Sequence, residues 1–173
     1  ESNTAIARQD FYTDFDGTND YVNIGDDTSL DITNSITLSA WIKVDAINRQ
    51  AFIAGRDDGT NRNYDLLLWS DNKIYWNCHG LSDTQAGSST TISANEWYHI
   101  AGTYDGSNLK LYINGILEDS DASTGSIDND DVSFTIGARE AGADRLFQGA
   151  ISNVSLYQTA LDAQTISQMA KSR

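Results

Sequence analysis

The side chains between residues 56 and 79, RDDGTNRNYDLLLWSDNKIYWNCH, are the ones best suited to chemistry. They do not make a nucleophile–base pair. Cys78 is the one cysteine, and His79 beside it in an extended run points to the opposite face. What they suit is noncovalent recognition. If Leu66, Leu68, Ile74, Trp76 and Cys78 face a core, then Trp69, Tyr75, Asn77 and His79 share the other side. Aromatic rings accept the apolar face of a sugar ring, and amide and imidazole groups bond its hydroxyls. Arg56 and Asp58 lie in the loop read just before this stretch and add charge to the same platform. A plainer reading stands beside it: Trp69 covers a sheet edge, and Tyr75 is an ordinary cross-strand partner.

Such a platform needs strands, and the dominant period of the chain is two. SITLSAWIKV places Leu38, Ala40, Ile42 and Val44 on one face, with Thr37, Ser39, Trp41 and Lys43 on the other. WYHIAGTY sets Tyr98, Ile100, Gly102 and Tyr104 against Trp97, His99, Ala101 and Thr103. NLKLYI turns Leu109, Leu111 and Ile113 inward and Lys110 and Tyr112 outward. Asp105-Gly106-Ser107 joins these last two runs as a hairpin, and Asn114-Gly115 makes a second tight turn. VSFTIG and FQGAISNVSLY supply further strands. The exception to the pattern is the end. Ile166 and Met169 recur at helical spacing behind Asp162, a helix N-cap. Many short strands with one short C-terminal helix predict an all-β, antiparallel two-sheet sandwich, folded as one domain over residues 1–173.

Composition narrows the partners. With 25 Asp+Glu against 11 Lys+Arg, the net charge of −14 repels phosphate backbones and anionic headgroups. Nucleic acid and membrane are therefore not expected partners. Only Glu1, Glu96, Glu118 and Glu140 are glutamates; the other acids are Asp, which serve turns or hard-cation sites. A single cysteine rules out an internal disulfide. The start, ESNTAIARQDF, has neither a basic run nor an apolar signal core, and reads as a mature form or an excised module.

Three stretches carry a resemblance: FDGTNDYVNIGDDTSLDITNSITLSAWIK, EWYHIAGTYDGSNLKLYINGIL and IGAREAGADRLFQGAISNVSLYQTALDAQTI. Together, over roughly residues 11–168, they resemble the laminin-G-like domains of the concanavalin A-like superfamily, in the branch common in bacterial secreted proteins. The resemblance implies a jelly-roll sandwich, often with one structural calcium. That scaffold hosts lectins, carbohydrate-binding modules, adhesion domains and a few polysaccharide-cleaving enzymes. Its hydrolases carry two glutamates flanking an aspartate on one strand. Here the nearest approach, Glu118-Asp119-Ser120-Asp121, has no second Glu. The resemblance further implies that His99, Trp41 and Trp97 are packing residues.

For calcium, the resemblance implies ligands from the first F-D-G-x-x-D-Y turn, here Asp16 and Asp20, and from an Ile-Asp-Glu-Val stretch near the end. The latter reads Ile151-Ser152-Asn153-Val154, which leaves Asn153 as the side-chain ligand. The acidic run 118–131 is an alternative cation site or a solvated loop. The combined expectation is a secreted or cell-surface module that binds a polysaccharide or oligosaccharide without cleaving it. Its ligand is a neutral glycan, held by Trp69, Tyr75, Asn77, His79, Arg56 and Asp58, and the module belongs to a larger chain. A protein-binding adhesion module is the alternative, and a hydrolase or lyase the third class.

Overall fold

The structure, a computed structural model, describes residues 11–139 and 144–173. Alternation along the strands decides the architecture. Each run that buries every second residue needs a partner layer, and two such layers pack face to face. One sheet contains β1 (Thr13–Asp16), β3 (Ile36–Val44), β8 (Trp97–Tyr104), β9 (Asn108–Ile113), β10 (Ile116–Ala122) and β12 (Gln148–Tyr157). Its strand order is β1-β12-β3-β8-β9-β10. The second holds β2 (Val22–Gly25), β4 (Ala51–Asp57), β5 (Arg62–Leu68), β6 (Lys73–Cys78), β7 (Gln85–Thr91) and β11 (Phe134–Ile136), ordered β2-β11-β4-β5-β6-β7. All their pairings are antiparallel, which makes a jelly-roll sandwich.

The expected inward residues form one core. Leu38, Ala40, Ile42 and Val44 meet Tyr64, Leu66 and Leu68, and Ile74, Trp76 and Cys78 meet Ile100, Leu109 and Leu111. Trp76 has no solvent exposure, and its indole Nε1–H donates to the Thr103 carbonyl at 3.2 Å. The Asn114-Gly115 turn has positive φ at both positions, 51° and 78°, as a two-residue hairpin loop requires.

The first sheet's outer face is closed by the chain's own end. Helix α1 (Ala163–Met169) starts at Asp162, whose carboxylate accepts the Thr165 N–H, and lays Ile166 on Ala101 and Tyr112. Tyr112 points outward as expected, yet is buried beneath that helix. The run 118–131 is strand as far as Ala122 rather than a loop. There Glu118 accepts the N–H groups of Ser89 and Thr90, and Asp119 that of Gly87. These carboxylates fasten edge strand β10 to edge strand β7 and so block two open edges.

Candidate functional site

The second sheet's outer face is built in rows. Antiparallel register sets Gly55, Asp65, Asn77 and Gln85 side by side across β4, β5, β6 and β7. Hydrogen bonds run along that row: Gln85 Nε2 donates to Asn77 Oδ1 at 2.9 Å, and Asn77 Nδ2 donates to Asp65 Oδ1 at 2.9 Å. The neighbouring row is apolar, with Leu67 opposite both Phe52 and Tyr75, and Tyr75 opposite Gly87. Glycine matters twice here. A Cβ on Gly87 would stand 2.8 Å from the Tyr75 ring, and one on Gly55 would strike Asp65 at 2.5 Å. The missing side chains let the phenol lie across β7 and let Asp65 sit against β4.

Trp69 and Tyr75 are half-buried and meet nearly at a right angle, with ring centroids 6.3 Å apart and planes 84° apart. The Tyr75 hydroxyl donates to Asp71 Oδ2 at 2.9 Å. The Arg145 guanidinium covers the Trp69 ring at 5.3 Å. Both rings line a hollow of about 280 Å³, together with Ser70, Asp71 and Gln85.

The other end of the same strands carries charge. Asp57 and Asp65 are 3% and 1% exposed, and His79 stands beside them; each offers an atom within 4.8 Å of the others. Burial, followed by repulsion from Asp65, raises the Asp57 pKa above the ordinary carboxylate value. Arg62 Nε and Arg139 Nη1 lie 3.7 and 3.8 Å from Asp57, and Arg139 Nη2 bonds Asp144. Two kinds of capacity remain unused. Among the described residues, Asp65 Oδ2 is buried without a hydrogen bond, since His79 Nε2 at 3.8 Å is too distant, and Arg139 Nε and Nη1 are donors without acceptors. A divalent cation would fit the trio poorly, because two guanidinium groups already bring positive charge to Asp57.

Four of the residues expected from the sequence gather on this face: Trp69, Tyr75, Asn77 and His79. Arg56 and Asp58 do not. Strand β4 continues through Asp57, so alternation sends Arg56 to the other side, beside Tyr64. There it is 1% exposed and bound to the loops around residues 30 and 130. Asp58 instead shapes the β4–β5 turn, accepting the N–H groups of Thr60 and Asn61.

The calcium ligands expected from the resemblance are also dispersed. Asp16 pairs with Gln148, five residues along β12 from Asn153, so the two lie roughly 16 Å apart at strand rise. Asp16 Oδ1 accepts the Thr18 and Asn19 N–H groups, and Asp20 accepts the Asp16 N–H. Asp16, Asp20 and Asn153 therefore do not fit one calcium ion.

The sequence reading missed Asp65, Gln85, Arg139 and Arg145. A local signal existed for the first: an acid inside YDLLLW, opposite the core side, needs a partner. Register brings Gln85, and Arg139 and Arg145 come from between β11 and β12.

A family model described as the concanavalin A-like lectin/glucanases superfamily, of laminin G type, matches residues 16–167. Among solved structures, the chain is similar to domain 4 of AbnA, a GH43 extracellular arabinanase from Geobacillus stearothermophilus in complex with arabinotriose. The TM-score is 0.70 at 20% identity, covering 92% of this chain and 76% of that one. It is also similar to the CBM40 of Ruminococcus gnavus IT-sialidase bound to α2,3-sialyllactose, with TM-score 0.75, 12% identity and coverage of 92% and 96%. A SAP-like pentraxin from Limulus polyphemus gives TM-score 0.68 at 15% identity, covering 91% and 80%. At these identities the likeness is one of fold. No curated protein sequence matches the chain.

Proposed function

The chain belongs to the laminin G-like family of the concanavalin A-like lectin/glucanase superfamily, and from that membership we propose that it is a lectin-like module which holds carbohydrate without cleaving it. The ligand lies on the second sheet's outer face. The observation that carries this reading is the juxtaposition there of a half-exposed aromatic corner, Trp69–Tyr75, with a hollow bordered by the polar side chains of Ser70, Asp71 and Gln85. Sugars present an apolar ring face and hydroxyls that both give and take hydrogen bonds, so they answer both features. The arabinotriose and sialyllactose complexes of the similar domains support the same class of ligand.

Binding rather than hydrolysis fits the carboxylates, because Asp57 and Asp65 are each almost sealed from water and Asp57 already has Arg62 and Arg139 beside it. No helix among the described residues is long and apolar enough to cross a membrane. The module is proposed to belong to a secreted or cell-surface chain, as the extracellular arabinanase domain does.

Affinity electrophoresis in polysaccharide gels, with arabinan among them, tests the reading. Wild-type protein should be retarded in at least one gel without releasing reducing ends. Trp69→Ala and Tyr75→Ala should each weaken retention about tenfold or more, as loss of a central aromatic contact does, while leaving the melting midpoint within a few degrees. Absence of retardation across the panel, or full retardation of both variants, overturns it.

A further inference from the structure

The two long sides of the sandwich are finished differently. On one, Glu118 and Asp119 tie β10 to β7. On the other, β1 and β2 are the end strands of their sheets, and among the described residues no hydrogen bond joins them. A slot of about 190 Å³ lies between them, lined mainly by Thr13, Phe15, Val22, Ile136, Ile151 and Val154. Apolar groups continue outward from it. Val22 is 36% exposed, and Tyr21 and Ile24 beside it are 41% and 54% exposed. A cluster of this kind at a sheet edge marks a surface that another chain covers.

The backbone of β1 shows how. Gln148, opposite Asp16, sends its carbonyl to the Asp45 N–H, away from β1. Asp16 correspondingly turns away from β12, its N–H bonded to the Asp20 carboxylate. Backbone direction alternates along a strand, so the Asp14 N–H and C=O point the same way as those of Asp16. They face an edge that no strand of the sheet covers. An extended segment laid along β1 would bond them.

Side-chain alternation sets the composition of that segment. Phe15 is buried in the core, so Thr13 shares its inward side while Asp14 and Asp16 face outward. Inward residues of an added strand would lie over the slot and should be apolar. Outward ones would stand beside Asp14 and Asp16 and should be basic. The surrounding sequence has the same sign: residues 11–42 contain six aspartates and no Lys or Arg. Arg56 already holds two of these, Asp26 and Asp31. A second copy of the chain fits poorly, because its own β1 would set aspartates against aspartates.

We infer that the open β1 edge receives an extended protein segment in which apolar side chains alternate with Lys or Arg. The surface is separate from the second sheet's outer face, and the inference holds whether or not that face binds sugar.

Three fluorescent peptide designs, at physiological salt, test it: alternating valine and lysine, the same residues in two blocks, and alternating valine and glutamate. The alternating lysine peptide should bind about tenfold more tightly than either of the others, since only it matches both the slot and the aspartates. The backbone amide shifts that it causes should map to Thr13–Asp16 and Val22–Gly25. Asp14→Lys, at an exposed position, should weaken the lysine peptide about tenfold and strengthen the glutamate peptide, with the melting midpoint unaltered. Equal binding of the block isomer, no reversal of preference in folded Asp14→Lys, shifts confined to another surface, or absence of binding overturns the inference. Sedimentation showing a dimer whose β1 amides are protected from exchange assigns the edge to a second copy and overturns it too.

Discussion

Arg56 and Asp57 are neighbours in one strand, and both are almost sealed from water, yet their surroundings differ in kind. Arg56 uses all five of its N–H groups. Nε donates to the Val132 carbonyl, Nη1 to Leu30 and Asp31, and Nη2 to Asp26 and Asp130. It acts as the cation of the acidic loops, tying residues 26–31 to residues 129–132 at one end of the sandwich. One residue on and on the other side, the cluster of Asp57, Asp65 and Arg139 leaves an acceptor and two donors unfilled. Burial of charge is common to both. Unused valence is what separates this cluster from a clamp that is already complete.

Substitution of the complete cluster should have the largest effect. Arg56→Met takes the charged partner from Asp26 and Asp31 and the donor from the Val132 carbonyl, and is expected to cost about 3–5 kcal/mol, read as a large fall in the denaturation midpoint. At a temperature where the variant is still folded, it should bind sugar as the wild type does. A loss below about 1 kcal/mol, or loss of binding by the folded variant, would break the contrast drawn between the two clusters.

His99 sharpens the contrast, because it too has a buried nitrogen without a partner, but on the opposite outer face. It is 2% exposed, packs edge-on to Trp41 with centroids 5.4 Å apart, and borders a groove with Asn153, Tyr157 and Met169. Burial lowers its pKa to about 4 from an ordinary 6.5. The folded state therefore binds fewer protons than the unfolded state between those values. Stability is full above about pH 6.5 and is lost as the pH falls towards 4, by up to about 3 kcal/mol. Replacing His99 by Phe should flatten the midpoint–pH curve across that window and leave sugar binding at pH 7 unchanged. A curve of unaltered slope would assign the acid sensitivity to other groups.

The smallest effect is expected at the helix that closes the first sheet. Asp162→Ala removes the cap of α1 and should lower the denaturation midpoint slightly, with faster amide exchange in the helix and no change in binding. If binding weakens instead, the two outer faces are coupled.

Much of the fold was legible because its causes are local. Alternation at Tyr64, Leu66 and Leu68 against Asp65, Leu67 and Trp69 follows from the geometry of an extended chain, whatever that chain meets. The turn at Asn114-Gly115 and the cap at Asp162 are likewise chemistry within a few residues. The candidate site was legible only in part, and for a definite reason. Ending the strand two residues early, at Gly55, would leave Arg56, Asp57 and Asp58 together in a loop. In the structure they divide among a clamp, the second sheet's outer face and a turn. Motif likeness placed Asp16 and Asn153 in one ligand set, whereas strand register sets them five residues apart.

By itself, then, the amino-acid order determined that this protein is a β-sandwich and that Trp69, Tyr75, Asn77 and His79 look away from its core. Only the tertiary structure decided which buried charges are already satisfied. That outcome depends on Arg139 and Arg145 reaching a face whose other members lie some sixty residues earlier in the chain, and on Asp26, Asp31 and the 130 loop converging on Arg56. Side-chain direction is a property of consecutive dihedral angles. Hydrogen-bond satisfaction is a property of what distant segments bring, and no local pattern encodes it.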